Sequence, residues 1–235
     1  MKQVTLGGLT VRLAGGTDGE GGGSGPLVVL MHGFAAPGDD LVPFAKALEV
    51  PAEVRFAFPE GAAPLPRQYG GEARAWWMID VNRLELVALS GDTEVFTEVE
   101  PDGLDVARNQ LVNCLDELEE TLAPSTVVLG GFSQGAMLAC DTVLRTPRKF
   151  DGLVMLSGAM VAGPVWRPLM ASRGDLAVFM SHGEEDPILP YAIADQLRSE
   201  LNDAGLNVMW VPFRGGHQIP SNVVGGLSHF LQSVL

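Results

Sequence analysis

Residues 126–140 read Thr126-Val127-Val128-Leu129-Gly130-Gly131-Phe132-Ser133-Gln134-Gly135-Ala136-Met137-Leu138-Ala139-Cys140. Four residues that favour extended chain run into glycines, and a helix-patterned stretch follows. Between the two, Gly131-x-Ser133-x-Gly135 describes a turn so tight that the central serine must adopt a strained backbone. Side chains two residues to either side would clash, hence the glycines. Such a turn lifts the serine hydroxyl above a sheet edge and aims the following amides at the same spot. The five-residue pattern also arises by chance, and a helix-capping serine is the plain alternative. The strand before it and the helix after it favour a nucleophile elbow.

Working outward, short apolar runs recur at 27–31, 54–58, 126–129, 153–156, 176–180 and 208–211. They are apolar on both faces, as parallel strands covered by helices require. Helical patterns fall between them at 39–49, 105–122, 189–204 and 221–235, with Gly205 as a left-handed stop. The alternation predicts a doubly wound α/β sheet with right-handed crossovers. The start of the chain reads as a hairpin turning at Gly7-Gly8. Residues 15–25, GGTDGEGGGSG, read as a flexible connection, and Ser24 within them lacks the second glycine of an elbow. At 235 residues and 46% apolar, the chain fits one domain over 1–235. The long excursion at 62–102 should be functional or carry short helices of its own.

A serine hydroxyl is a weak nucleophile near neutral pH and needs a base, itself oriented by a carboxylate. In a sheet with such an elbow, acid and base follow the serine at the ends of later strands. Position sorts the four histidines. His32 precedes the serine and reads as a brace for its own loop. His182 opens a loop that holds the acid candidates. His229 falls within the last helix as a packed or solvent-facing residue. His217, in Arg214-Gly215-Gly216-His217 just past a strand, is the base candidate. The loop Ser181-His182-Gly183-Glu184-Glu185-Asp186-Pro187 offers three acids. Asp186 is favoured because Pro187 fixes the chain after it, with Glu184 and Glu185 as alternatives. A developing oxyanion would be met by the Gln134 amide and by one from Met31-His32-Gly33-Phe34, taken as that of Phe34. Trp76, Trp77 and Met78 in the excursion, with Met160 and Val161, are candidates to line an apolar acyl slot, although one tryptophan could equally pack in the core. Arg67 and Arg74 could meet an anion or simply be solvated.

These stretches resemble the phospholipase/carboxylesterase group of α/β-hydrolases, similar to bacterial carboxylesterases and acyl-protein thioesterases. The likeness rests on HGFAAPGDDLVPFAKAL, ARAWWMID, GGFSQGAMLA, LVMLSGAM, HGEEDPILPYA and RGGHQIP, which span most of the chain. It implies an α/β-hydrolase fold without a large separate lid. It also implies Ser133, Asp186 and His217 as a catalytic triad, with Phe34 and Gln134 amides as oxyanion donors. The sequence departs from the group at Ala35-Ala36, where a glycine is usual.

A net charge of −14 disfavours nucleic acid and anionic bilayers as partners. No apolar run approaches the roughly 20 residues of a membrane span, and the start of the chain lacks a signal-peptide pattern, so a cytoplasmic protein is expected. Cys114 and Cys140 read as buried thiols without metal-ligand spacing. The expected activity is serine carboxylesterase action on small to medium carboxylic esters, with a small-molecule ester or thioester as the partner and without metal or organic cofactor. The alternatives are a lysophospholipase or acyl-protein thioesterase, a non-catalytic binding scaffold of the same fold, and a peptidase. Residues 81–89, VNRLELVAL, could serve as core, lid or homodimer contact.

Overall fold

The computed structural model describes residues 1–80 and 93–235. The chain begins with a hairpin of β1 (Lys2–Leu6) and β2 (Leu9–Gly16), followed by β3 (Glu20–Gly22) and β4 (Leu27–Met31). The short α1 (Phe44–Ala47) leads to β5 (Arg55–Pro59) and a small ribbon of β6 (Ala63–Pro64) and β7 (Arg74–Ala75). Then come α2 (Glu94–Thr97), α3 (Leu104–Leu122), β8 (Val127–Phe132) and α4 (Gln134–Arg145). The remainder is β9 (Gly152–Leu156), α5 (Gly163–Met170), β10 (Ala177–Gly183), α6 (Tyr191–Asp203), β11 (Asn207–Phe213) and α7 (Ser221–Val234).

The main sheet has the order β1-β2-β5-β4-β8-β9-β10-β11, with β3 against β2. From β5 to β11 all neighbours are parallel, while β2 meets β1 and β5 antiparallel. The elbow strand β8 therefore lies inside the sheet, between β4 and β9. Successive side chains of a strand point to opposite faces, and β4 illustrates it. Leu27, Val29 and Met31 pack with Leu111, Leu115 and Leu118 of α3, whereas Val28 and Leu30 pack with Leu227 and Leu231 of α7. The continuous apolar run is thus read by two cores, one on each face, and no membrane-crossing helix occurs among the described residues.

Three local expectations change. The predicted helix over 39–49 shrinks to Phe44–Ala47, because Pro43 has no N–H to extend an α ladder. Three-residue turns replace the missing length, with Asp40 N–H on Pro37 O and Val42 N–H on Asp39 O, and they still bury Leu41. The helix α5 was not expected. It buries Trp166, whose indole N–H donates to Asp141 Oδ1 at 2.8 Å. Within residues 15–25, where a loose connection was expected, Gly15 and Gly16 pair with Glu20 and Gly22 in the sheet. Asp18 Oδ1 accepts the Glu20 and Gly22 amides at 2.7 and 2.9 Å. Arg55, fully buried, donates to the carbonyls of Gly23, Gly25 and Leu122.

The turn after β8 fits together as steric reasoning from the sequence required. A Cβ added at Gly131 would lie 2.5 Å from Met31 O, and one at Gly135 2.2 Å from the same atom. Both clashes are with backbone, which cannot swing aside. Gly135→Ala is expected to lower stability by about 1–3 kcal/mol or more, measured by urea denaturation. A variant as stable as the parent would show that this turn has slack.

Candidate active site

Ser133 sits at the hinge between β8 and α4 with φ 53° and ψ −117°, a strained conformation outside the helical and extended regions. Its amide donates to Leu156 O of β9 at 2.8 Å, which ties the hinge to the next strand. Helix α4 starts at once, and Ser133 O accepts the amides of Ala136 and Met137.

The loop after β10 carries Asp186, which is buried. Its Oδ1 accepts the amides of Ile188 and Leu189, both at 2.9 Å, and its Oδ2 accepts His217 Nδ1–H at 2.7 Å. Burial works against the charge, but the His217 bond and the Leu189 and Ile188 amides outweigh it and hold the carboxyl below its ordinary value. Glu184 and Glu185 are exposed, and their amides bond Phe213 O and Gly215 O, so acid loop and base loop are stitched together by backbone. The imidazole of His217 rests on the ring of Phe132, centroids 4.8 Å apart, beside the elbow serine. Residues 133, 186 and 217 follow the carboxyl ends of β8, β10 and β11, with His217 bonded to Asp186 and packed on the residue before Ser133. With Nδ1 donating to Asp186, Nε2 of a neutral His217 holds the lone pair.

The other histidines divide cleanly. His229 is exposed on α7. His32 is buried, accepting the Gly61 amide on Nε2 at 2.9 Å and so donating from Nδ1 to Gly33 O at 2.8 Å. His182, fully buried, donates from Nε2 to Leu189 O at 2.8 Å, with Asp186 Oδ2 at 3.3 Å from the same nitrogen. This second imidazole beside Asp186 was missed from sequence, although the i, i+4 spacing of His182 and Asp186 was its signal.

Burial lowers the pKa of His32 from its ordinary 6.5. Below pH 6.5 the unfolded chain therefore binds more protons at this residue than the folded one. The stability contributed by neutral His32 is full above 6.5 and is lost as pH falls toward the folded value. His32→Gln is expected to show a smaller drop in urea midpoint between pH 7.5 and 5.5 than the parent. An equal drop would assign the pH dependence to other groups.

Gly33 follows β4 and lies so close to the elbow that an added Cβ would be 3.3 Å from Ser133 Cβ. The next amide is that of Phe34. Among the described residues, no acceptor takes up the amide of Phe34 or that of Gln134. Ala35, where a glycine was the expected residue, holds φ 63°.

A cavity of about 210 Å³ opens one helical turn beyond Ser133, lined by Trp77, Met78, Phe96, Val99, Met137 and Val161 among others. Of the five residues expected to line an acyl slot, Trp77, Met78 and Val161 line this cavity, and Trp76 and Met160 do not. The Trp76 indole N–H is spent on His32 O at 3.0 Å. Arg74 pairs with Glu60 at 2.6 Å and Arg67 is exposed, so neither points to an anion site. Cys114 and Cys140 are unbridged and buried, and burial pushes the Cys114 thiol up to about 12. The run 81–89 lies outside the described residues.

Comparison with known proteins adds to this geometry. The phospholipase/carboxylesterase family profile matches residues 22–235. Acyl-protein thioesterase 1 of Gibberella zeae is 26% identical over 191 residues, covering 78% of each chain. Acyl-protein thioesterase 1 of Neurospora crassa is 24% identical over 186 residues, covering 76% of this chain and 73% of its own. Among solved structures, esterase PE8 superposes with a TM-score of 0.76 at 24% identity, covering 99% of this chain and 100% of that one. The Bacillus cereus carboxylesterase gives 0.70 at 20% identity, covering 97% and 95%. At these identities the structural likeness speaks for the fold.

Proposed function

The chain belongs to the phospholipase/carboxylesterase family of α/β-hydrolases, and from that premise we propose that it hydrolyses small to medium carboxylic esters through an acyl-enzyme on Ser133. The observation that carries the reading is the 2.7 Å bond from His217 Nδ1 to Asp186 Oδ2, made by an imidazole packed on the residue next to the elbow serine.

In the proposed reaction, His217 Nε2 takes the Ser133 proton as the oxygen attacks the ester carbonyl. Asp186 stabilises the imidazolium without itself taking the proton. The tetrahedral oxyanion is held by the amides of Phe34 and Gln134, which have no acceptor to give up among the described residues. The proton on Nε2 passes to the departing alcohol or thiol. Water, deprotonated by the same nitrogen, then releases the acid and restores Ser133. The strained elbow matters here because it holds the hydroxyl and the Gln134 amide in one place before substrate arrives.

The cavity beyond Ser133 supports a reading of substrate size. Its 210 Å³ is below the roughly 300–1,000 Å³ of pockets for drug-sized ligands, which favours short to medium acyl groups. The second reading, thioester cleavage on acylated proteins, is favoured by the two thioesterase relatives. One protocol separates the readings. A fluorophosphonate probe should label one residue, Ser133, stoichiometrically, and kcat/KM over p-nitrophenyl esters from acetate to palmitate should peak at butyrate to octanoate. Labelling elsewhere would overturn the nucleophile, and a maximum at palmitate would favour the thioesterase reading.

A further inference from the structure

The two amides proposed to hold the oxyanion belong to separate parts of the chain, the loop after β4 and the start of α4. An oxyanion hole works only if its donors are fixed relative to one another before charge develops. Something must therefore hold the two backbones in register. The segment Arg74–Trp77, at the end of the β6–β7 ribbon, bonds to both.

Toward the Phe34 side, Arg74 O accepts the Ala35 amide at 2.9 Å and the Arg74 amide donates to Ala36 O at 3.0 Å. The Trp76 indole N–H donates to His32 O at 3.0 Å. Phe34 is bracketed by these contacts. Ala35, immediately after it, is in the left-handed region, which a residue with a Cβ occupies only when its surroundings impose it. Toward the α4 side, the Trp76 amide donates to Gln134 Oε1 at 2.9 Å, and Gln134 Nε2 donates to Trp77 O at 2.8 Å. The side-chain amide has one consistent orientation here, since a backbone N–H must face its oxygen and a carbonyl its nitrogen. Gln134 is fully buried and Trp76 nearly so, hence neither bond can be exchanged for water.

We propose that Trp76 and the side chain of Gln134 are positioning residues that lock the Phe34 and Gln134 amides into a single oxyanion hole. The proposal rests on the esterase reading above. It gives Trp76 a role that its absence from the cavity wall left open, and it gives the Gln134 side chain a task separate from that of its amide.

The test uses Trp76→Phe, which keeps a ring and removes the indole donor, and Gln134→Met, which keeps length and removes both polar atoms. Each is assayed for kcat and KM on p-nitrophenyl butyrate and for inhibition by an aliphatic trifluoromethyl ketone, which forms a tetrahedral adduct. Misplacing one donor should lower kcat about 10- to 100-fold and weaken the ketone in step, with KM within about twofold. A merely structural role would lower the melting temperature and leave kcat and ketone affinity unchanged. That result overturns the proposal, as would a raised KM at constant kcat. Loss of folding in both variants would equally count against it, since the bonds would then serve the core. Fluorophosphonate labelling of the parent protein keeps the two claims apart. Labelling at Ser133 with unaffected variants defeats only the clamp, whereas no labelling there defeats the esterase reading itself.

Discussion

Ser133→Ala is expected to lower kcat for p-nitrophenyl butyrate by about 10⁶-fold while leaving the circular dichroism spectrum and melting temperature close to those of the parent. The size follows from what remains. On the proposed mechanism the amides of Phe34 and Gln134 still polarise the carbonyl, but without the hydroxyl no acyl-enzyme forms, and water must attack directly. Alanine inherits the same backbone strain at φ 53°, so the turn is neither relieved nor further burdened. Because substrate contacts in the cavity are untouched, binding of an unreactive ester analogue should be unchanged. A loss of less than about tenfold would mean that the reaction does not pass through this oxygen, and the whole assignment would fall.

Asp186→Asn should cost about 10⁴-fold in kcat, by a different route. An asparagine can keep its oxygen toward the Ile188 and Leu189 amides, which donate to Oδ1 in the parent. Its NH₂ then replaces Oδ2 opposite His217 Nδ1. Two donors cannot face each other at 2.7 Å, so the imidazole moves its proton to Nε2. The nitrogen that should take the serine proton is then already protonated. His182 Nε2, 3.3 Å from Oδ2, meets the same NH₂ group and adds to the misfit. Steady-state kinetics on the purified variant measure this directly. Glu184→Gln and Glu185→Gln are the controls, since both carboxylates are exposed and should leave kcat near the parent value. A variant at position 186 within tenfold of the parent would show that another acid orients the base.

These predictions draw on features that differed in how plainly the sequence announced them. The elbow was legible because its cause is local. Gly131 and Gly135 are required by atoms of the adjacent strand and of the turn itself, and no other residue type fits. The six buried strands were legible because an apolar run of four or five residues has few other uses, although their boundaries moved by up to three residues. The helix over 39–49 was over-read, since its apolar spacing persists while Pro43 interrupts the hydrogen-bond ladder. In α5 the opposite happened. No helix was expected there; Pro164 lies in the first turn, where proline is tolerated, and burial of Trp166 and its bond to Asp141 carry the segment past Pro168.

The chain by itself determined the α/β class and the strained turn at Ser133, and it suggested the order Ser133, Asp186, His217 for the site. Each is written in short-range sterics or in a two-residue or 3.6-residue period. Only the tertiary structure decided which carboxylate of three turns inward, that His182 stands beside it, that Arg55 anchors the glycine-rich turn, and that Trp76 faces the loop after β4 instead of the cavity. Apart from His182, four residues from Asp186, those outcomes depend on partners about 30 to 60 residues away, such as Asp186 with His217 or Trp76 with Gln134. Local pattern shows that a side chain will be buried. It carries no information about the direction in which that side chain meets a distant neighbour, because the direction is set by the packing of both elements together.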